Sequence, residues 1–429
     1  MSKTEVGSSI TTAALASGLR LVTESMSDVR SVAIGFWVGS GSRDEPDGLA
    51  GASHFLEHLL FKGTLSRSAA QIAEALDEVG GDCNAYTTKE YTAFYVRLLS
   101  EHLALGLDIL SDIMWTPALA AADVDAERTV ILDEILMHSD EPSDLVVENC
   151  FSALFPLHPL GRDALGTASS VGDITRQDVA GFFEQHYRPE NMVVSVAGDC
   201  EHDRVGEMIE DRFRGTSGGK PPQREAPKHA AEPLTVINRP TEQAHLAVGM
   251  RCVSRFDPNR WAFAVLNHVL GGGMSSRLFQ KVREQRGLAY AIGSERLAFQ
   301  DAGSLCVGAG TAPSNIDEVL SIVTSEIGLL AGSGVTEREL AVAKGNLRAE
   351  ALLACEDSGA RMSRIGASVL LHNEVKSIDE ILALIDAVDL EAVTAAAREL
   401  SAAPRTIAAV GPTNLEHLEA VAGLADRVV

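Results

Sequence analysis

Phe55-Leu-Glu-His-Leu-Leu60 returns 210 residues later as Val265-Leu-Asn-His-Val-Leu270. A second pair, Val193-Val-Ser-Val-Ala-Gly198 and Thr406-Ile-Ala-Ala-Val-Gly411, is offset by 213 residues, so one small net insertion aligns both. Self-similarity at a long, near-constant offset points to duplication of a whole domain. The flanking segments agree. Val32, Ile34, Phe36 and Val38 alternate with other residues, as in a strand, and a helix-like run from Leu49 to Leu60 follows. In the second half Leu246, Val248 and Met250 alternate, and a helical run spans Trp261 to Leu270. Strands mixed with long amphipathic helices predict an α+β fold of two homologous domains, each a mixed β-sheet with helices packed mainly on one face. Chance similarity between two α+β domains is the competing explanation.

Between the copies lies Gly215-Thr-Ser-Gly-Gly-Lys-Pro-Pro-Gln-Arg-Glu-Ala-Pro-Lys-His-Ala-Ala-Glu-Pro233, rich in Gly, Pro and charge and without an apolar period. It reads as an exposed tether. The expected organisation is therefore an N-terminal domain over 1–214, a linker over 215–233 and a C-terminal domain over 234–429.

Composition narrows the function class. The chain has 429 residues, enough for two cores, with 45% hydrophobic and 22% charged residues. Its apolar runs are too short for a membrane span, and the N-terminus lacks the pattern of a signal or transit peptide. A cytoplasmic protein without membrane insertion is expected. The formal net charge of −24 repels phosphate backbones, which argues against a nucleic-acid partner, and otherwise reads as solubility. Six cysteines, Cys83, Cys150, Cys200, Cys252, Cys306 and Cys355, are scattered singly with no Cys-x-x-Cys. Reduced, buried thiols fit that spacing better than a disulfide framework.

The chemistry concentrates in His54-Phe-Leu-Glu-His58. On a helix His54 and His58 stand one turn apart with Glu57 beside them, within a sector of about 100°. Leu49, Leu56, Leu59 and Leu60 fall on the opposite side. Two imidazoles at i, i+4 can chelate one zinc ion, and an adjacent carboxylate can act on a water. The order His-x-x-Glu-His is that of the inverted zincins. A pair of surface histidines on an amphipathic helix is the bland alternative. A third ligand must come from elsewhere. The segment from Asp123 to His138 reads as a helix with an apolar stripe of Val124, Val130, Ile131 and Ile135, and Glu127 and Glu134 fall on that stripe. A carboxylate on an apolar face needs a cation or a donor. A metal would serve one of them, and Arg128 or another base the other. His138, one turn beyond Glu134, competes as a ligand on spacing alone.

His54-Phe-Leu-Glu-His-Leu-Leu-Phe-Lys-Gly-Thr64, followed by Glu127 and Glu134, resembles the pitrilysin/insulinase family of zinc metallopeptidases. The likeness is greatest to the bacterial and mitochondrial processing-peptidase-like branch. It runs through Asn84-Ala-Tyr-Thr-Thr-Lys-Glu90, His158-Pro-Leu-Gly-Arg162, Gly166-Thr167, Leu270-Gly-Gly-Gly-Met-Ser-Ser-Arg-Leu-Phe279 and Arg283-Glu-Gln-Arg-Gly-Leu-Ala-Tyr290. The resemblance implies Zn2+ held by His54, His58 and Glu134, Glu57 as general base, and Glu127 in support of catalysis. It thereby prefers Glu134 to His138. It implies peptide substrates, paired along a strand that includes Asn84, Ala85 and Tyr86, and held by Arg283 and Tyr290.

The second half carries Ala264 and Asn267 where the first has His54 and Glu57, leaving only His268. The 234–429 domain is therefore expected to be a degenerate repeat without zinc ligands, and 1–214 the zinc-binding domain. Without the resemblance, Arg283 reads as a surface ion pair with Glu284 and Tyr290 as a half-buried core residue. Gly271-Gly-Gly273 reads equally as a substrate-contacting turn or a helix stop. The resemblance further implies a homodimer enclosing a chamber, in which a zinc endopeptidase acts on unfolded peptides or flexible termini. A non-catalytic scaffold or a peptide-binding subunit of the same fold is the rival expectation.

Overall fold

The computed structural model describes residues 8–421. Six strands make the first sheet: β1 (Ser8–Ala14), β2 (Arg20–Met26), β3 (Ser31–Val38), β4 (Asp82–Thr87), β5 (Thr92–Leu99) and β6 (Met192–Gly198). Their order is β1-β2-β6-β3-β5-β4. Only β2 and β6 run parallel. Five strands make the second: β7 (Leu234–Asn238), β8 (Ala244–Cys252), β9 (Ala289–Ala298), β10 (Gly303–Thr311) and β11 (Arg405–Gly411). Their order is β7-β11-β8-β10-β9, with β7 and β11 the single parallel pair. Strand for strand, the second sheet repeats the first without β1. The two repeated segments occupy matching places. Phe55–Leu60 lies in the helix Ala52–Leu60 that follows β3, and Val265–Leu270 in the helix Arg260–Leu270 that follows β8. Val193–Gly198 and Thr406–Gly411 are the matching strands β6 and β11.

Each sheet buries a main core on one face. In the first, Val32, Ile34, Phe36 and Val38 meet Phe55, Leu56, Leu59 and Leu60 of the motif helix and Leu107, Leu110 and Met114 of the helix Leu103–Trp115. Alternation alone predicts one buried face for β3, yet all its residues after Ser31 are buried. The reason lies far along the chain. The helix Ser358–His372 sets Met362, Ile365 and Val369 against Val22, Ala33, Trp37, Ala93, Val193 and Ala197 on the other face. Its Arg361 and Arg364 pair with the buried Glu24 carboxylate of β2. In the second sheet the helix Pro142–Leu154 plays the same part, with Val146 and Cys150 against Ala247, Ala408 and Val410.

The compact units are consequently discontinuous, in contrast to the contiguous ranges expected. One comprises Met1–Ile135, Asp163–Gln223 and Leu352–Ser377; the other comprises Leu136–Arg162, Arg224–Ala351 and Ile378–Val429. The Gly- and Pro-rich segment has no regular secondary structure, and the division between units falls inside it. All six cysteines are free thiols, and Cys150 and Cys306 lie 3.9 Å apart at sulfur. Among the described residues no single helix is long and apolar enough to cross a membrane.

Candidate metal centre

The motif helix begins at Ala52, so Leu49 lies before it, in the turn Asp47–Leu49. Its start is firmly held. The buried Glu45 carboxylate accepts the backbone N–H groups of Gly51 at 2.8 Å and Ser53 at 2.7 Å. A carboxylate there satisfies orphan donors and complements the positive end of the helix. Gly51 adopts φ +94° and Gly166 φ +78°. A Cβ on Gly166 would stand 2.3 Å from the Ala50 carbonyl oxygen. Ser170 donates to the same carbonyl at 2.7 Å. The Gly166-Thr167 segment therefore seats the entry to the motif helix.

His54 is buried and His58 half-buried, so they are not a surface pair. Their Nε2 atoms lie 3.2 Å apart, and each is 3.7 Å from Glu134 Oε2. Tetrahedral zinc with ligands at about 2.1 Å separates those ligands by about 3.4 Å. The triangle of donors has the dimensions and the two-nitrogen, one-oxygen chemistry that zinc takes. Among the described residues this is the one group of three or more His, Cys, Asp or Glu side chains that could hold an ion. His138 is outside it; its Nδ1 lies 3.8 Å from Asp144.

The helix carrying Glu134 runs Ala121–Asp140. Val124 and Ile131 are buried as expected, but Val130 is 48% exposed and lies off the stripe. Glu127 takes its place, only 4% exposed. Its Oε1 is 2.8 Å from His58 Nδ1 and its Oε2 is 2.6 Å from Lys62 Nζ. Burial pushes the Glu127 carboxyl up, yet the Lys62 and His58 bonds outweigh it and hold the group below the ordinary range. The compensating cation is thus Lys62. Arg128 turns instead to Asp125 and the Ile174 carbonyl. Through its contact with His58 Nδ1, Glu127 is placed to orient that ring, as outer carboxylates do for metal-bound imidazoles.

Glu57 stands on the same helical turn. Burial raises its carboxyl above the ordinary range, opposed by a hydrogen bond from Thr87 and by His58. Thr87 Oγ1 donates to Glu57 Oε2 at 2.5 Å. Asn84, Ala85 and Tyr86 lie on β4, an edge of the first sheet, whose outer side has no strand partner among the described residues. The strand expected to pair with the peptide is β4 alone, because the neighbouring β5 is paired on both sides.

Arg283 and Tyr290 come together in the second unit. The guanidinium lies 5.1 Å from the Tyr290 ring centroid and 4.8 Å from that of Phe279. Tyr290 is 79% exposed, so it is not a core residue. Arg283 also lies 3.7 Å from Glu284 and sits in a π-helical stretch, Phe279–Glu284. Such irregular turns recur at functional sites. Gly271 ends the helix Arg260–Leu270, and a Cβ there would meet Ser294 N at 2.7 Å. The Gly-Gly-Gly run is thus a helix stop with close backbone approach. Lys62, Thr87 and Glu45 were not singled out by sequence reasoning. Lys62 follows His58 at the i, i+4 spacing, and Glu45 precedes the helix in a capping region, so both left a faint local signal; Thr87 lies inside the quoted segment Asn84–Glu90, where nothing set it apart.

Residues 20–168 match the family model described as insulinase, peptidase family M16, and residues 173–347 match that described as peptidase M16 inactive domain. The chain belongs to peptidase family M16. M16 relatives include an uncharacterized zinc protease of Mycobacterium tuberculosis, 43% identical over 93% of this chain and 92% of the relative. Another, from Bacillus subtilis, is 36% identical over 92% of this chain and 97% of the relative. The M16 fold is shared with a protease from Helicobacter pylori at a TM-score of 0.87 and 21% identity, covering 94% of this chain and 99% of that one. A crystal structure from Pseudomonas fluorescens, described as a peptidase M16 inactive domain, superposes at a TM-score of 0.88 and 21% identity, over 95% and 98% of the two chains.

Proposed function

We propose that this M16 chain is a zinc-dependent endopeptidase acting on extended, unfolded peptides or flexible termini. The observation that carries the reading is the meeting of His54, His58 and Glu134 beside Glu57. His54, His58 and Glu134 would hold the ion, which when bound supplies Lewis acidity toward a water and a peptide carbonyl. Glu57 takes a proton from the attacking water as its oxygen bonds to the carbonyl carbon. It then delivers that proton to the amine nitrogen as the C–N bond breaks. Arg283 and Tyr290 supply a cation and a phenol donor for the peptide and its developing oxyanion. The open edge of β4, at Asn84, Ala85 and Tyr86, accepts the peptide as an added strand. Main-chain pairing tolerates many side chains but demands an extended substrate.

The proposal includes a processing-peptidase-like place in the family, a homodimer enclosing a chamber, and a cytoplasmic setting supported by six free thiols. Mass-spectrometric mapping of products from an unstructured peptide library tests the activity. Internal cuts that vanish with chelator are expected. Glu57→Gln should retain zinc while hydrolysis falls roughly 10²- to 10⁴-fold. A zinc-loaded wild type that cuts none of these peptides would exclude the peptidase and favour a peptide-binding subunit.

A further inference from the structure

We infer that Thr87 is a positioning residue for the Glu57 carboxylate, tying the sheet edge that takes the peptide to the base that acts on it. The inference rests on the function proposed above. Thr87 ends β4, and Cys83 and Ala85, at alternate positions before it, pack against the main core on the motif-helix side. Thr87 shares their face of the strand. Tyr86, on the opposite face, packs with Trp37. Thr87 thus reaches Glu57 from a strand whose other backbone side is open.

The threonine is itself oriented. Its register partner on β5 is Thr92, whose hydroxyl lies 3.4 Å from that of Thr87. Thr92 donates to the Ser40 carbonyl at 3.0 Å. Thr87 donates to Glu57 Oε2. A glutamate side chain has three torsions to arrest, and a base must meet its water within a narrow range of geometry. Pinning Oε2 to the strand leaves Oε1 to meet the water. A peptide registered on β4 and a base fastened to β4 then share one frame, so strand movement carries both together.

The test compares Thr87→Val, which keeps the branched shape and loses the donor, with Thr87→Ser, which keeps the donor. Zinc-loaded proteins are assayed on an internally quenched, unstructured peptide. Thr87→Val should lower kcat roughly 10- to 100-fold with KM changed less than about twofold, since a charge-assisted bond that orients a catalytic group is lost. Thr87→Ser should stay within about threefold of wild type. Zinc stoichiometry should match wild type in both. A Thr87→Val enzyme with wild-type kcat, or one altered only in KM, overturns the inference. If wild type itself is inert with zinc bound, the peptidase reading falls, and crystals of the metal-free Thr87→Val protein still decide the positioning role. Glu57 spread over several rotamers supports it; Glu57 in the single wild-type rotamer overturns it.

Discussion

Glu127 shows how one side chain couples stability to metal affinity. A carboxylate this deeply buried is strongly disfavoured unless a cation and donors meet it, and Lys62 and His58 do so. The bond to Nδ1 also turns the His58 ring so that Nε2 faces His54 and Glu134. Glu127→Ala should therefore weaken zinc binding about 10- to 100-fold, read by competition with a chromophoric chelator. Unchanged affinity would remove the orienting role. His54, Glu57 and His58 were legible because helical spacing places them on one face whatever surrounds the helix. Glu134 was legible as an acid on an apolar stripe, but its choice over His138 came from the resemblance. Thr87 reaches the base across a strand-to-helix contact that no local pattern encodes.

At the scale of elements, the motif helix depends on close backbone packing at its entry. Gly166→Ala combines a left-handed φ with a Cβ that collides with the Ala50 carbonyl. It should lower stability by about 1–3 kcal/mol, read as a shift of the denaturant midpoint. In the second unit, Arg277 grips Glu339 through Nε at 2.6 Å and Nη2 at 2.9 Å. It lies 3.7 Å from the buried Glu326 that also binds Lys281. These pairs anchor the segment leading to Arg283. The Arg277 guanidinium holds the Glu339 carboxyl at about 2, against an ordinary value of 4.5. A depressed folded value stabilises fully above the unfolded one, and the contribution fades as pH falls from about 4.5 towards 2. Denaturation midpoints measured across that range should fall more steeply for wild type than for Arg277→Met. Equal slopes would show that the pair contributes nothing to acid sensitivity.

The whole molecule is threaded so that each sheet receives one covering helix from a distant part of the chain. Residues 1–223 made alone lack Ser358–His372, leaving Val22, Ala33, Trp37, Ala93, Val193 and Ala197 without their partners Met362, Ile365 and Val369. Exposed apolar faces of this kind drive association. The fragment, which also leaves Val146 and Cys150 of Pro142–Leu154 without their own sheet, should elute as aggregate in size-exclusion chromatography, and supplying residues 352–377 should lower the aggregated fraction. A soluble, monomeric 1–223 would show the covering helix to be dispensable. Light scattering on the full chain tests the proposed homodimer, with a mass twice that of one chain expected.

Periodicity and repetition were legible because they are local or comparative properties. Strand alternation, the histidine pair one turn apart and the doubled segments need no knowledge of neighbours. Which helix lies on which sheet was decided by packing. An amphipathic stripe states that a face must be buried but names no partner, so Pro142–Leu154 and Ser358–His372 gave no sign of belonging to the other half's sheet. The same physics governs the metal centre. Two imidazoles come from a single helix, whereas the carboxylate that joins them depends on how a second helix docks against the first.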